Sequence, residues 1–219
     1  MKIQIKNRFN GSILFEHECK YNNIKLTLIE GIKANADLSN ADLSNEDLRN
    51  CDLRNCDLRN CDLRNCDLSY CDLSGSNFSG SILRNADLRN CNFRNCILRN
   101  CDLSGSNFSG SNLTNADLRN CILRNCDLRN CDLSGSNFSG SNLINADLRN
   151  CILPIFSKWS FSIIKNEIIK IGCKEKTIFG WDLWFASKEE FDTKRGTAEF
   201  KQIEAMYLAY KAYVTHLNS

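Results

Sequence analysis

The sequence predicts an all-β solenoid with a small cap at each end. The main observation is a motif of the form Ala/Cys/Ser-Asp/Asn-Leu/Phe-Arg/Ser-Asn/Gly, which repeats every five residues over residues 36–153 without an insertion. Neither an α-helix nor a flat strand can bury every fifth residue on one face, because their side-chain periods are about 3.6 and 2.0. A chain that turns a corner every five residues can, and strict repetition at a short period is typical of solenoids.

The individual positions of the motif support this interpretation. The central residue is Leu or Phe in all 24 pentads, and the residue two before it is Ala, Cys or Ser in 23 of them, Glu46 being the exception. The last position is Asn or Gly everywhere except Tyr70 and Ile155. Asn and Gly tolerate a left-handed backbone best, so these positions are predicted to be corners. We expect the apolar and small residues to point inward, and the Glu46 carboxylate, at the end of the rod, to reach water or a partner in the N-terminal cap.

This pattern resembles the pentapeptide-repeat family, in runs such as residues 51–55 (CDLRN) and 106–110 (SNFSG). The resemblance implies a right-handed quadrilateral β-helix with four pentads per coil, so that the 24 pentads make about six coils. Residues twenty apart would then be neighbours along the rod. Phe78 and Phe138 would lie in one interior column, with Phe108 on the opposite side.

Residues 1–35 precede the repeat and are predicted to form an N-terminal cap. Ile3 and Ile5 alternate with polar residues, the Asn-Gly pair at 10–11 is a strong turn signal, and the alternation resumes after it, which favours a β-hairpin. Asn22 or Asn23 can then cap a short helix that leads into the first coil. Such a cap would cover strand edges and an apolar interior that otherwise invite end-to-end stacking.

Residues 154–219 are predicted to form a C-terminal cap of short strands and helices. Pro154 ends the motif, and the segment holds 12 of the 20 aromatic residues. A hairpin is predicted near residues 163–173, a short helix with Ser187 as its N-cap, and a longer helix opened by Thr197. Residues 170–173 (KIGC) followed by Trp181 resemble the tail module that follows pentapeptide repeats in uncharacterised phage and prophage proteins. That resemblance implies a phage-encoded protein without an assigned activity.

Composition predicts a soluble cytoplasmic protein. The chain has no apolar run of 18 residues and no signal peptide at its start. Fourteen cysteines can indicate disulfides or a metal site, but twelve of them occupy the inward small position, interchangeable with Ala and Ser, and none forms a Cys-x-x-Cys cluster. We interpret them as packed free thiols. Pairs one coil apart, such as Cys51 and Cys71, would lie within disulfide range, but a reducing compartment argues against a bond.

The charges argue against a nucleic-acid or DNA-mimicking surface. The repeat carries 12 Arg against 14 Asp and one Glu, so its net charge is −3. Asp before and Arg after each central residue should both point outward and form a lattice of alternating signs. The family resemblance implies, as its best-known role, a strongly acidic rod that mimics DNA and binds a type II topoisomerase, and the balanced charge weakens that role. A basic footprint for direct nucleic-acid binding is also missing.

The sequence gives little support to an enzyme. Its two histidines, His17 and His216, lie in opposite caps, and its many serines lie in corners without a nearby base. We therefore predict no catalytic residue, no cofactor and no metal site. The leading hypothesis is a non-catalytic structural or protein-interaction rod with an unidentified protein partner and no membrane contact. The alternatives are a modulator of a type II topoisomerase and an enzyme with its site in the C-terminal cap.

Two sets of residues are candidates for interaction surfaces. Tyr207, Tyr210 and Tyr213 lie near one side of the predicted final helix, and aromatic residues are favoured at interfaces. They predict a two-fold homodimer through the C-terminal cap. The competing interpretation packs that helix onto the last coil and onto Trp181 and Trp184.

The second set lies on the rod. Ile82, Ile122 and Ile144 are outward residues on one face, at positions where the motif calls for polar side chains.

Overall fold

The computed structural model of the chain describes residues 1–138, 140–152, 161–165, 168–171 and 174–187, with single positions at 195, 197, 200, 203, 204, 207, 208 and 211. Its strands and helices are β1 (Lys2–Asn7), β2 (Ile13–Glu18), α1 (Ile24–Lys33), β3 (Ala41–Asp42), β4 (Phe161–Lys165), β5 (Ile168–Ile171), β6 (Lys174–Thr177) and α2 (Ile178–Ala186). Between β3 and β4 the repeat forms a four-sided coil.

Backbone pairing in the repeat has a spacing of 20 residues. Parallel bridges join the residue before each central Leu or Phe to its equivalent four pentads later, beginning with Asp42 and Asp62 and ending with Asp132 and Ile152. The hydrogen bonds of each bridge lie on either side of this spacing: the Leu88 N–H donates to the Asn107 carbonyl, 19 residues later, at 2.7 Å. Four pentads therefore complete one coil. Residue 153, the centre of the last pentad, lies outside the described residues, so the sixth coil stays a prediction.

The corners take the left-handed backbone that the Asn and Gly pattern predicts. Each described Asn and Gly that ends a pentad has a positive φ, and so does Tyr70, with a φ of 61°. Stacked Asn corners join their amides, as where Asn65 Nδ2 donates to Asn45 Oδ1 at 3.0 Å. Both the backbone and the side chains of the corners thus support the stacking of coils. Ile155, the other departure from the pattern, lies outside the described residues.

The interior is a set of apolar columns lined by small polar groups. Phe93 and Phe108 contact each other inside the rod, with 5.4 Å between ring centroids. From Cys61 onward nearly all of the inward Ser and Cys side chains donate to carbonyls 23 residues earlier: Ser106 Oγ lies 2.5 Å from the Leu83 oxygen. Ser136 donates instead to the Leu133 carbonyl, three residues earlier. This bond explains why Ser and Cys replace Ala freely there, because each polar hydrogen has a fixed acceptor in the core.

The N-terminal segment attaches to one edge of the first coil. β1 pairs antiparallel with β2 on one side and with β3 on the other, in the order β2-β1-β3. Arg8 Nη1 donates to the Cys61 carbonyl at 3.0 Å. Asn23 caps α1 by accepting from the Leu26 N–H at 2.8 Å, and the buried Leu28 packs into the same core as the first coil. An exposed strand edge of the coil is therefore paired here.

The C-terminal segment contains an antiparallel sheet of order β4-β5-β6, and α2 follows β6 directly. Thr177 is the N-cap of α2, since its Oγ1 accepts from the Gly180 N–H at 3.1 Å. Ser187 is the C-cap of α2, and its Oγ donates to the Trp184 carbonyl at 2.8 Å. The helix predicted to begin at Ser187 would lie outside the described residues, so it stays a prediction.

Candidate interaction surface

The outer faces of the rod are covered by pairs of Asp and Arg two residues apart. Asp47 Oδ1 accepts from the backbone N–H of Arg49 at 3.2 Å, and its Oδ2 lies 2.6 Å from Arg49 Nη2. Arg49 Nε also lies 3.5 Å from Asp67 in the next coil. Equivalent pairs within one pentad are Asp52–Arg54, Asp57–Arg59, Asp62–Arg64, Asp87–Arg89, Asp117–Arg119, Asp127–Arg129 and Asp147–Arg149. Each of these arginines is thus paired with a carboxylate in its own pentad, and Arg49 also lies near one in the next coil.

These pairs keep the carboxylates ionised and neutralise them locally. The hydrogen bonds from Arg49 lower the pKa of Asp47 to about 2. The Arg side chains two residues later likewise lower the pKa of Asp52, Asp57 and Asp87. Paired charges of opposite sign do not form a continuous negative face, which a DNA mimic requires.

The nucleophilic groups of the rod lie in its core. Burial raises the pKa of the Cys61, Cys66, Cys91, Cys96 and Cys126 thiols to about 12. A thiol with so high a pKa carries almost no thiolate near neutral pH and is a poor nucleophile or metal ligand. The described part of the chain holds no group of three or more His, Cys, Asp or Glu side chains placed to bind a metal ion.

The structure places the three candidate isoleucines on one face of the rod. Bridges join Ile82 to Asp102 and Asp102 to Ile122, and the Asn125 N–H donates to the Ile144 carbonyl in the next coil at 3.0 Å. Ile122 is 41% exposed and Ile144 55% exposed, whereas Ile82 is half-buried. Two of the three candidates therefore present apolar side chains to solvent.

The prediction that Tyr207 lies at an interface is wrong, because its side chain is buried within the single chain. It is 1% exposed and stacks on Phe185, with 4.7 Å between ring centroids. Its hydroxyl lies 2.8 Å from the Ile178 carbonyl and 2.9 Å from Asp182 Oδ1. The side chain packs inward against α2, as the competing interpretation held for this residue. Tyr210 and Tyr213 lie outside the described residues.

An apolar surface on α2 was not predicted from the sequence. Trp181 and Trp184 are buried, while Phe179 is 71% exposed and Leu183 is 56% exposed. Phe179, Leu183 and Ala186 are four and three residues apart, a spacing that places them on one side of a helix. A helical period over residues 178–186 groups these three residues, but it does not show which side of this apolar helix is buried.

None of the helices in the described ranges combines the length and the apolar composition needed to cross a bilayer.

Solved structures similar to this chain are repeat proteins of the same kind. QnrB1, a plasmid-mediated fluoroquinolone resistance protein, is 21% identical over 50% of this chain and 71% of its own, with a TM-score of 0.38. HetL, a pentapeptide repeat protein involved in heterocyst differentiation regulation in the cyanobacterium Nostoc sp. strain PCC 7120, is 21% identical over 60% of this chain and 80% of its own, with a TM-score of 0.34. A pentapeptide repeat protein of the Arabidopsis thaliana thylakoid lumen is 24% identical over 48% and 66%, with a TM-score of 0.22.

Comparison with curated protein sequences gives no match. The family model for pentapeptide repeats matches the chain in eight copies, over residues 34–69, 71–110, 86–125 and 111–150. These segments include more than half of the chain and coincide with the four-sided coil. The chain therefore belongs to the pentapeptide repeat family, whose members form right-handed quadrilateral β-helices.

Proposed function

We propose that this chain is a non-catalytic rod whose outer faces bind a protein partner. The observation that carries the proposal is the lattice of Asp–Arg pairs, such as Asp87 with Arg89 at 2.5 Å, on flat faces whose backbone is bonded from coil to coil. Such faces are ordered before a partner arrives, so binding to them costs little conformational entropy. Six coils at the usual strand spacing would give a rod of about 29 Å, enough to support an interface of ordinary size.

The chemistry of the described side chains supports a binding role over an enzymatic one. The thiols are buried with raised pKa values, and the inward serine hydroxyls donate to core carbonyls. In the C-terminal segment Lys211 Nζ lies 2.7 Å from Asp182 Oδ2, beside the buried Tyr207. That group ties the last described helical residues to α2, and we assign it a structural role. Pentapeptide repeat proteins are in general structural or interaction proteins.

The alternative of a DNA mimic that modulates a type II topoisomerase is less well supported. It requires an uninterrupted acidic face, and Arg side chains occupy the position next to most of the Asp residues. Addition of the chain to a gyrase supercoiling reaction should therefore leave the rate unchanged. Inhibition at stoichiometric concentration would favour the alternative.

We further propose that the protein is cytoplasmic, with free thiols, and that two copies associate through the C-terminal cap. Support for the dimer now comes from the exposed Phe179 and Leu183 on α2 and no longer from Tyr207. The phage origin suggested by residues 170–173 stays a prediction.

Affinity capture tests the binding role directly. The tagged chain is incubated with lysate of its source cell, beside a control with Leu88→Ala and Leu128→Ala. Both residues are buried in one interior column, so the two truncations together should unfold the rod. We expect at least one protein to be retained by the native rod and not by the control. Equal retention on both, or no retained protein, would contradict the proposal.

A further inference from the structure

The face that carries Ile82, Ile122 and Ile144, called here the isoleucine face, differs from the paired lattice in its charges. In eight pentads an Arg lies two residues after an Asp and pairs with it. At Ile82 and Ile122 the Asp is replaced, so Arg84 and Arg124 have no carboxylate within their own pentad.

The two arginines differ in whether the next coil supplies a carboxylate instead. Arg84 Nε pairs with Asp102 of the next coil at 2.5 Å. At the equivalent place above Arg124 stands Asn142, which is bridged to Ile122 and cannot carry a charge. Among the described residues Arg124 makes no ion pair, and it is exposed. An unneutralised guanidinium therefore lies beside the exposed side chains of Ile122 and Ile144.

We propose that the isoleucine face binds an acidic amphipathic helix of a partner protein. Ile82 and Ile122 are two coils apart, a distance of about 10 Å at the usual strand spacing. Residues seven apart on an α-helix are separated by about 10.5 Å, so a helix along the rod axis can place two apolar residues on them. An Asp or Glu beside that apolar stripe would pair with Arg124, and the pair would be strengthened where the interface excludes water. This inference rests on the proposed function, because it names the surface and the chemistry of the partner.

Charge complementarity disfavours the other occupants. A second copy docked by a two-fold axis on this face would bring Arg124 close to its own equivalent, and like charges across an interface are unfavourable. A nucleic acid gains its affinity from many Lys and Arg contacts to phosphates, whereas Asp62 and Asp102 on this face already pair with Arg64 and Arg84 and leave Arg124 to act by itself. A helix with both apolar and acidic groups satisfies the isoleucines and the arginine together.

A designed peptide tests the surface without knowledge of the natural partner. The probe is a capped helical peptide of about 15 residues with two Leu seven positions apart and Glu beside each, and its counterpart carries Lys in place of Glu. The full chain, labelled with ¹³C at the Ile δ1 methyls, is titrated with each peptide. We expect saturable chemical-shift changes of the Ile82, Ile122 and Ile144 methyls with the Glu peptide. The Lys peptide should bind with an affinity at least about tenfold lower.

Two variants give the matched comparison. Ile122→Asp restores the residue that the motif places there and gives Arg124 a partner, so it should fold at least as well as the native chain and bind the Glu peptide about tenfold more weakly or worse. Arg129→Gln removes one charge from a different face and should leave binding unchanged. Equal affinity for both peptides, unchanged binding by Ile122→Asp, or an absence of shifts at these methyls would overturn the inference.

Capture separates this inference from the function on which it rests. If Ile122→Asp retains the same lysate protein as the native rod, the isoleucine face is not the docking site although the rod still binds a partner. If the native rod retains nothing, the binding role itself fails.

Discussion

The inward position two residues before each central Leu or Phe accepts short, uncharged side chains. Ser106 and Cys96 each donate to a carbonyl of an earlier coil, and Ala86 fills the same kind of place without a donor. Glu46 breaks this rule: it is longer, half-buried, and burial raises its pKa, with the Asp42 carboxylate adding to the shift. The ionised form of Glu46 is thus disfavoured in the folded chain.

Glu46→Gln should stabilise the protein at neutral pH by removing this charge. The pKa of Glu46 in the folded chain is raised above the unfolded value of about 4.5. The folded chain therefore binds the carboxyl proton more tightly than the unfolded chain, and the free energy of unfolding falls as the pH rises from 4.5 through the folded pKa. The free-energy gain from Glu46→Gln should be largest at pH 7 and shrink as pH falls toward 4. Urea denaturation of both proteins at the two pH values measures it. A gain that grows on acidification would contradict the assignment.

Adjacent residues in one pentad should respond very differently to the same truncation. Leu88 is fully buried between coils that cannot collapse into a cavity, so Leu88→Ala should cost about 2–5 kcal/mol of unfolding free energy. Arg89 is exposed and pairs with Asp87 in solvent, so Arg89→Ala should leave the unfolding free energy nearly unchanged. Urea denaturation compares the two variants. Equal losses would show that the inward and outward positions are misassigned.

At the scale of elements, the repeat was predictable and the docking of the segments after it was not. The five-residue period and the Asn and Gly corners predict the coil, because each type of contact within the rod repeats along the sequence. The contacts of α2 occur once: Trp181 Nε1 donates to the Ile169 carbonyl at 2.7 Å, and Tyr207 stacks on Phe185. No sequence period encodes such pairs, so which side of a helix was buried could not be read from spacing alone.

The unpaired Arg124 becomes visible in the sequence only when the spacing of twenty residues is applied to the charges. The absence of Asp in its own pentad was visible at Ile122, but the second loss, at Asn142, matters only because the two residues are neighbours in adjacent coils. A count of charges along the chain does not reveal the missing partner of Arg124, because the total positive and negative charges are nearly equal. The three isoleucines were found because each departs from the motif by itself.

One corner of the repeat is built from a residue that disfavours it. Tyr70 has a φ of 61° and lies between the corners of Asn50 and Asn90, and it is 61% exposed. A left-handed backbone costs a residue with a large side chain about 1–2 kcal/mol, a penalty that Asn largely avoids. Tyr70→Asn should therefore stabilise the rod by about 1 kcal/mol, since little buried area is lost.

Chemical denaturation of Tyr70→Asn measures this gain, and Asn85→Tyr serves as the reverse control. Asn85 has a φ of 57°, so the tyrosine there should cost a similar amount. A loss of stability in Tyr70→Asn would mean that the exposed ring makes contacts worth more than the strain.

At the scale of the whole molecule, the thiols report on the integrity of the rod. The described cysteines are free, and most are buried with pKa values raised by burial, as for Cys61 and Cys126. Ellman's reagent should react quickly with the half-buried Cys19 and slowly with the core thiols, and all 14 cysteines should react after unfolding. Fast reaction of the core thiols in the native state, or fewer than 14 free thiols after alkylation in a cell extract, would contradict a packed reduced interior.

The state of assembly depends on the exposed side of α2. The helix buries Trp181 and Trp184, yet Phe179 and Leu183 on its other side are in solvent, and a helix that is apolar all round is normally covered on both sides. A two-fold axis would cover this side with the same residues of a second copy.

Light scattering at micromolar concentration should then give twice the chain mass of 25.0 kDa, and Leu183→Lys should return the mass to 25.0 kDa. Ile13→Lys, an exposed apolar residue of the N-terminal hairpin, should leave the dimer intact. A native mass of 25.0 kDa would rule the dimer out, and a dimer that survives Leu183→Lys would place the interface elsewhere.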